Sequence, residues 1–437
     1  MIRAYDTITK GNDIMNTMVI SIIIMVLCIA LFITEKIPYA TAGFLGLILL
    51  VVFKVCTFGN AFGQFAGETV FTVLGMGIVG SGLDHSGLIE IVGGRIVKLA
   101  GNSERKLLIV CVALAAILSA FMNNQTVVVL VVTLAAGICK KFPGIKMRDL
   151  AMPIAFATVF GGQFTLIGTS SQLVGSGILE DYTGKGFGMW TISPVGITVG
   201  LVCCILMCTL GLSFGKRIWG KKEEAVGLDQ LQIEERVYDK KKQIIMASIM
   251  VFLIVILVTE VVSVGTGAMI GAVLTIILGG IDQKTALKET NWNILLWLGC
   301  ILGLPRGLQE TGASEFIARW VLSKLDLIGA PMFSFTVIIV FTCVLTHLIA
   351  NSTCVAIILP IVLEMAAIAG FNPMPFAVGV TVMCAMAIAT PLGAGFVAYV
   401  MVCGYKFSDF LKYGAPFAVV SCIAIIISTP IFFPFAG

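Results

Sequence analysis

Residues 107–139 read LLIVCVALAAILSAFMNNQTVVVLVVTLAAGIC, a run of 33 residues without one charged side chain. A helix needs about 20 residues to cross a hydrocarbon core of about 30 Å, so this run is too long for one crossing and too short for two. Its centre, Asn123 to Thr126, is polar. Each flanking arm reaches about 20 to 24 Å at roughly 1.5 Å per residue, which is less than a full crossing. The run therefore predicts a helical hairpin that turns inside the membrane.

The charges on both sides of this run indicate which face it enters from. The basic residues that flank it are Arg95, Lys98, Arg105, Lys106, Lys140, Lys141, Lys146 and Arg148. Because Lys and Arg favour the cytoplasmic side, both ends of the hairpin are predicted to lie there. An irregular turn at that depth is stable only when protein surrounds it or when it lines a wet cavity.

A second uncharged run, Leu327 to Leu363, also carries a polar centre, Asn351 to Thr353. The following loop, Ala369 to Pro375, has no Lys or Arg, which favours the external face. The linker 216–242 between the two runs holds eight Lys or Arg and is predicted to be cytoplasmic. Counting crossings outward from this linker predicts that the two hairpins point at each other from opposite faces.

The whole composition agrees with a chain dissolved in lipid. Of 437 residues, 58% are hydrophobic and 12% are charged. The predicted fold class is an all-α integral membrane protein with about 11 transmembrane helices and two re-entrant helical hairpins. We expect a retained first helix at Asn16 to Thr34 and a multi-pass chain in the inner (plasma) membrane. The small net charge of +4 gives no case for nucleic-acid binding, and thirteen scattered cysteines predict neither disulfides nor a zinc site.

The two halves match in order and predict two inverted repeats. Glu68 and Glu289 each open an apolar span that ends near Gly87 and Gly312, and each span precedes an amphipathic stretch and a hairpin. The chain is predicted to divide into scaffold helices in 1–67, a first repeat in 68–215, a cytoplasmic loop in 216–243, scaffold helices in 244–288 and a second repeat in 289–437. The first repeat is predicted to contain an amphipathic arm, an inward hairpin at 107–139 and a broken helix at 151–180. The second is predicted to contain an amphipathic arm, an outward hairpin at 330–368 and a broken helix at 375–403.

Each hairpin precedes an apolar helix that small and helix-breaking residues interrupt, at 167–172 and at 388–393. Unwound backbone in a membrane must be satisfied, and Na⁺ accepts carbonyl and hydroxyl oxygens such as those of Ser119, Thr346, Gly168 and Ala389. Half-helix N-termini and amide donors suit an anion. Both tips lack charged residues, so they can hold a cation against an anion without a buried formal charge.

The tips and breaks resemble those of the divalent anion/sodium symporter family of the ion transporter superfamily. That family carries Ser-Asn-Thr at both tips, and here the tips keep the central asparagine in Asn123-Asn124-Gln125 and Ala350-Asn351-Ser352. Ser119 and Thr346 each lie five positions before that asparagine, as in the family pattern. The family's Pro-Pro-Asn is replaced by Ser170-Ser171-Gln172 and by Pro391-Leu392-Gly393, so dicarboxylates, citrate, sulfate and other oxyanions remain open as substrates.

The resemblance implies Na⁺-coupled symport of a small di- or trivalent anion by a homodimer whose transport domains move in an elevator motion against scaffold domains. It implies two Na⁺ sites, one with Ser119, Asn123, Asn124 and Gly168, and one with Thr346, Ala350, Asn351 and Ala389. The implied substrate-binding residues are Asn124, Gln125, Thr126, Thr169, Ser170, Asn351, Ser352, Thr353, Thr390 and Pro391.

Functions other than Na⁺-coupled symport are less well supported by the sequence. An arsenite-type or Na⁺/H⁺ antiporter of the same superfamily is the alternative, with Glu260 and Glu364 as the nearby carboxylates. A membrane-embedded enzyme or receptor is not favoured, because no catalytic pair, metal cluster or nucleotide loop is visible in the sequence. We expect His347 to pack between helices and Arg306 to reach the membrane surface by snorkelling.

Overall fold

The computed structural model describes residues 2–34, 36–88, 91, 103–139, 142, 144–219, 239–259, 261–325, 331–390 and 393–435. Within these residues every regular element is helical. The helices of the first half are α1 (Ile2–Thr34), α2 (Tyr39–Val52), α3 (Phe58–Phe62), α4 (Glu68–Ser86), α5 (Glu104–Ser119), α6 (Asn124–Cys139), α7 (Met147–Gly161), α8 (Ser170–Thr183), α9 (Ser193–Leu206) and α10 (Leu212–Trp219). Those of the second half are α11 (Lys240–Val258), α12 (Val264–Ile277), α13 (Gln283–Glu289), α14 (Trp292–Glu310), α15 (Ala313–Leu325), α16 (Pro331–Thr346), α17 (Asn351–Ala369), α18 (Pro373–Cys384) and α19 (Phe407–Phe432).

Five helical segments of the described chain are long and apolar enough to cross a bilayer. They are Phe58–Ser86, Ser193–Trp219, Lys240–Val258, Asn351–Ala369 and Phe407–Phe432. Shorter apolar helices accompany them, among them Asn124–Cys139 and Pro331–Thr346. An all-helical chain with several apolar segments agrees with the predicted class, while the number of crossings stays a prediction.

Both predicted hairpins are pairs of helices with the same interruption. In the first pair α5 ends at Ser119 and α6 begins at Asn124, and in the second α16 ends at Thr346 and α17 begins at Asn351. Each break therefore covers four residues, 120–123 and 347–350. The turns predicted at Asn123 to Thr126 and Asn351 to Thr353 are therefore displaced: apart from Asn123, these polar residues form the first turn of the second helix in each pair.

The helices after the two pairs are also interrupted. Between α7 and α8 the break covers 162–169, so it begins earlier than the sequence suggested, and Ser170 starts a new helix. After α18 the chain leaves the α-helical conformation at Ala385 and resumes as a 3₁₀-helix, Gly395–Cys403. Within this second break residues 391–392 lie outside the described part, and so does most of the predicted first arm, Leu88 to Ala100.

The described helices pack in two groups. One group contains α1 to α4 with α11 to α14, and α4 lies along α12 while α14 lies along α2. The other contains α5 to α10 with α16 to α19, in which α7 packs against both arms of the first pair and α18 against both arms of the second. Helix α15 contacts α17 of the second group and α14 of the first. The tips and breaks therefore belong to one compact group.

Candidate functional site

The first tip is organised by the hydroxyl of Ser119, the last residue of α5. This fully buried hydroxyl contacts two oxygens, Oδ1 of Asn124 and the carbonyl oxygen of Thr158. The hydroxyl of Thr165, in the following break, donates to the carbonyl of Ala120 in the turn. Asn124 opens α6 and is buried, while Asn123 accepts a bond from the amide of Gln125 at 2.9 Å.

The second tip repeats this arrangement residue by residue. Thr346, which is also fully buried, places its hydroxyl against Oδ1 of Asn351 at 3.3 Å and against the carbonyl of Cys384. The hydroxyl of Thr390 donates to the carbonyl of His347 at 2.5 Å. Because Thr165 makes the matching bond to Ala120, the counterpart of Thr390 is Thr165 rather than Thr169, which holds the corresponding place when the interrupted segments 167–172 and 388–393 are aligned.

The two tips meet through the start of α8. The hydroxyls of Ser170 and Ser352 lie 3.0 Å apart and connect the first turn of α8 with the first turn of α17. A Cβ atom on Gly162 would lie 2.8 Å from Cγ2 of Thr169 and 3.1 Å from Oδ1 of Asn124, so the break passes directly against the first tip. The N-termini of α6, α8 and α17 therefore converge.

A cavity of about 480 Å³ opens onto this meeting point. The predicted site residues that line it are Asn123, Asn124, Thr126, Gly168, Thr169, Ser170 and Asn351. Its opposite wall comes from α4, with Gly77 and Ser81, and from the start of α14. The described lining includes no Lys or Arg, and its carboxylates are Asp84 and Glu289. Glu289 lies 2.7 Å from Nε2 of His85.

The remaining predicted residues lie around this cavity. Ser352 is buried and reaches the cavity residue Ser170, and Gln125 donates to the hydroxyl of Tyr399 at 2.5 Å. Thr353 is 1% exposed, and its hydroxyl has no hydrogen-bond partner among the described residues. Ala350 caps α17. Pro391 lies outside the described residues.

The backbone oxygens near the tips differ in part from those that the sequence suggested. At the second tip they come from Cys384 and Gly393, whereas Ala389 packs against Gly414 of α19. At the first tip the nearest carbonyl is that of Thr158, and Gly168 packs against Gly162. Because residue type does not reveal which carbonyl faces a site, these backbone oxygens could not be predicted from the sequence.

Two buried glutamines behind the first break were also missed as a pair. Nε2 of Gln172 donates to Oε1 of Gln163 at 2.8 Å, and both residues are completely buried. Gln172 stands where the resembling family has Asn. This contact fixes the first turn of α8, which carries Ser170.

Of the two carboxylates considered for proton antiport, the described one, Glu364, lies away from the tips. Glu364 accepts a bond from the hydroxyl of Tyr182 at 3.3 Å. It follows Asn351 by 13 residues along α17, which is about 20 Å at roughly 1.5 Å per residue. Glu260 lies outside the described residues.

Comparison with known proteins identifies the family. A family model described as citrate transporter (CitMHS) matches residues 29–339 and 254–436, which together cover most of the chain. The chain belongs to this citrate transporter family. The predicted membership of the divalent anion/sodium symporter group is confirmed. The predictions that the chain is a multi-pass membrane transporter and that it is not an enzyme are confirmed as well.

Individual relatives of this citrate transporter family member are distant. The sodium-dependent dicarboxylate transporter SdcS of Staphylococcus saprophyticus is 25% identical over 409 residues, which cover 83% of this chain and 76% of SdcS. The uncharacterized transporter sll0640 of Synechocystis is 27% identical over 202 residues, and the match spans only 33% of its length. The crystal structure of the Alcanivorax borkumensis YdaH transporter covers 87% of this chain and 89% of that chain, with a TM-score of 0.62 and 12% identity, which establishes a shared fold.

Proposed function

We propose that the chain is a sodium-coupled symporter of a small di- or trivalent anion such as a dicarboxylate, citrate or sulfate. The observation that carries the proposal is the matched pair of oxygen clusters at the two tips, joined by the contact between Ser170 and Ser352. The sodium dependence and the dicarboxylate substrate in the name of SdcS agree with it.

The first cluster has more oxygens than hydrogens to share, and the second has the same excess in one of the two orientations of the Asn351 amide. A hydroxyl donates one hydrogen, yet the Ser119 hydroxyl faces an amide oxygen and a carbonyl, and the Thr346 hydroxyl faces the Cys384 carbonyl and one end of the Asn351 amide. Facing oxygens without a hydrogen between them repel each other, and burial away from water makes this costly. A Na⁺ ion at each tip would relieve the repulsion, because carbonyl and hydroxyl oxygens coordinate Na⁺. Two Na⁺ sites follow.

The Asn351 amide offers a way to couple the cation to the tip. One end of this amide lies 2.8 Å from the carbonyl oxygen of Gly393 and 3.2 Å from that of Cys384. With Nδ2 at that end the amide donates to both carbonyls, and with Oδ1 at that end the oxygens together form a cation site. Na⁺ binding would therefore select one orientation of Asn351 and fix the start of α17.

Three helix N-termini supply the attraction for an anion. Helices α6, α8 and α17 all begin at the cavity. The dipole of each helix places about half a positive elementary charge at its N-terminus. The amide N–H groups of these first turns have no acceptor within their own helix, and those not bonded elsewhere can donate to carboxylate or sulfate oxygens. The site would bind an anion without Lys or Arg and release it when Na⁺ leaves.

The packing of the helices supports an elevator mechanism. The group with the tips, α5 to α10 and α16 to α19, would move as a transport domain along α1 to α4 and α11 to α14. The cavity is lined by Asp84 and Glu289 at helix ends that the charge pattern assigns to the cytoplasm, so the conformation would be inward-facing. The resemblance adds a homodimer in the inner membrane to this proposal.

Uptake into proteoliposomes tests the proposal. An inward Na⁺ gradient should raise the initial rate of uptake of succinate, citrate or sulfate at least about tenfold over an equal K⁺ gradient. Equal rates with both cations for all three anions would refute sodium coupling. Acidification or alkalinisation of the lumen driven by Na⁺ alone would instead establish antiport.

A further inference from the structure

A half-buried ion pair connects the two groups of helices. Nη2 of Arg306, on α14, lies 2.5 Å from Oδ1 of Asp181, near the end of α8. Nε2 of Gln64, in the short 3₁₀ turn before α4, lies 2.9 Å from both oxygens of the same carboxylate. The Asp181 side chain is only 15% exposed. Arg306 therefore has a specific partner, the Asp181 carboxylate, which the sequence did not predict, and its snorkelling stays a prediction.

The position of this pair along α8 connects it with the site. Helix α8 carries Ser170 at its first turn and Asp181 three turns later, so both ends move together if α8 moves. Arg306 and Gln64 belong to the group whose helices form the opposite wall of the cavity. A slide of one group along the other must therefore break this contact.

The neighbour of Arg306 along α14 makes the contact directional. Glu310 lies four residues further along, about 6 Å at roughly 1.5 Å per residue, and it accepts a bond from Asn60 at 2.6 Å. By the charge pattern this is the external direction. An outward movement would carry the Asp181 carboxylate from a cation towards another carboxylate, which costs Coulomb energy.

We propose that Asp181, Arg306 and Gln64 form a latch that holds the inward-facing position, with Glu310 opposing outward travel. This inference rests on the elevator mechanism of the proposed function. Neutralising either charge should shift the unloaded protein towards the outward-facing position, and exchanging the two charges should restore the balance.

Labelling of a reporter cysteine tests the latch without any substrate. Ser81→Cys lies on the cavity wall, and in inside-out vesicles a membrane-impermeant maleimide should modify it while the protein faces inward. The protein without this substitution gives the background labelling, which should be low because the native cysteines are buried or half-buried. Asp181→Asn and Arg306→Gln should each slow the labelling at least about fivefold. The matched control is Arg319→Gln, which removes a 2.7 Å pair with Glu315 within α15 and should leave the rate unchanged.

The combined variant Asp181→Arg with Arg306→Asp should recover the rate, and Asp181→Glu should retain it if the exchanged pair does not fold. Unchanged labelling in both single variants would overturn the latch, as would equal slowing by Arg319→Gln. Since neither Na⁺ nor anion is added, a failure of sodium-driven uptake leaves this readout intact, and the two proposals can fail separately.

Discussion

Thr346 and Ser119 are the side chains that the proposed cation sites depend on most. Thr346→Val keeps the size of the side chain but removes the oxygen that faces Asn351 and Cys384. Losing one ligand oxygen should cost about 1 to 2 kcal/mol of Na⁺ binding and raise the half-saturating Na⁺ concentration roughly tenfold. Sodium-dependent uptake at saturating anion measures this change.

Thr342→Val is the control for that variant. Thr342 lies one turn earlier on the same helix and is equally buried, but among the described residues its hydroxyl bonds only to the carbonyl of Ile338 within α16. Its substitution should leave the half-saturating Na⁺ concentration within about twofold of that of the unsubstituted protein. A similar loss in both variants would mean that Thr346 supports the helix rather than a cation.

At this scale the sequence indicated which side chains lie together at the tips, but not which backbone atoms lie beside them. The five-residue spacing from Ser119 to Asn124 and from Thr346 to Asn351 recurs in the structure as two equivalent hydrogen-bonded tips. The carbonyls of Thr158 and Cys384 were not predictable, because any residue supplies a carbonyl and only the fold aims it. Thr165 was missed because the break begins at Gly162, earlier than the polar residues at 167–172 suggested.

Among the elements, the break between α7 and α8 leaves little room for a larger side chain. Gly162→Ala would place a Cβ 2.8 Å from Cγ2 of Thr169 and 3.2 Å from Nδ2 of Asn124, both held by their own neighbours. Overpacking of this kind costs about 1 to 3 kcal/mol. The variant should lower the melting temperature in detergent and weaken both Na⁺ and anion dependence of uptake.

Gly77→Ala provides the comparison for the element. Gly77 also lines the cavity, but a Cβ there would meet no atom within 4 Å. Within α4 an alanine also favours the helix, so the melting temperature should stay the same or rise slightly. A fall as large as that of Gly162→Ala would show that the cavity wall, and not the break, limits substitution.

The element boundaries show what local sequence could and could not fix. Uncharged runs with polar centres predicted that each run breaks near its middle, because a membrane helix breaks where its backbone can be satisfied. The breaks themselves, 120–123 and 347–350, precede the predicted turns by about one helical turn, because the polar residues open the second helix of each pair. The close approach of Gly161 to the backbone of Ala116 depends on how α7 packs against α5, and nothing within either segment encodes it. The adjacent glycines 161 and 162 were a usable signal for a tight contact before a break.

For the molecule as a whole, the topology rests on the distribution of Lys and Arg, and exposed single cysteines can test it. Lys284→Cys, between α12 and α14, should react with an impermeant maleimide only from the cytoplasm. Val261→Cys, which is 76% exposed in the loop after α11, should react only from outside. The opposite result at both positions would invert the assignment of the cavity to the cytoplasmic face.

The depth of the first tip distinguishes a wet cavity from a surface loop. Asn123 lies beyond the whole of α5, whose 16 residues span about 24 Å, so a charged reagent can reach Asn123→Cys from the cytoplasm only through water. Ile117→Cys is the control at nearly the same depth, because its side chain is 61% exposed on the outside of α5, where lipid would cover it. We expect cytoplasmic labelling of Asn123→Cys, protection of it by Na⁺ together with the transported anion, and no labelling of Ile117→Cys. If both positions react equally from the cytoplasm, α5 lies in water along its length, and the two-group arrangement around a membrane-embedded site cannot hold.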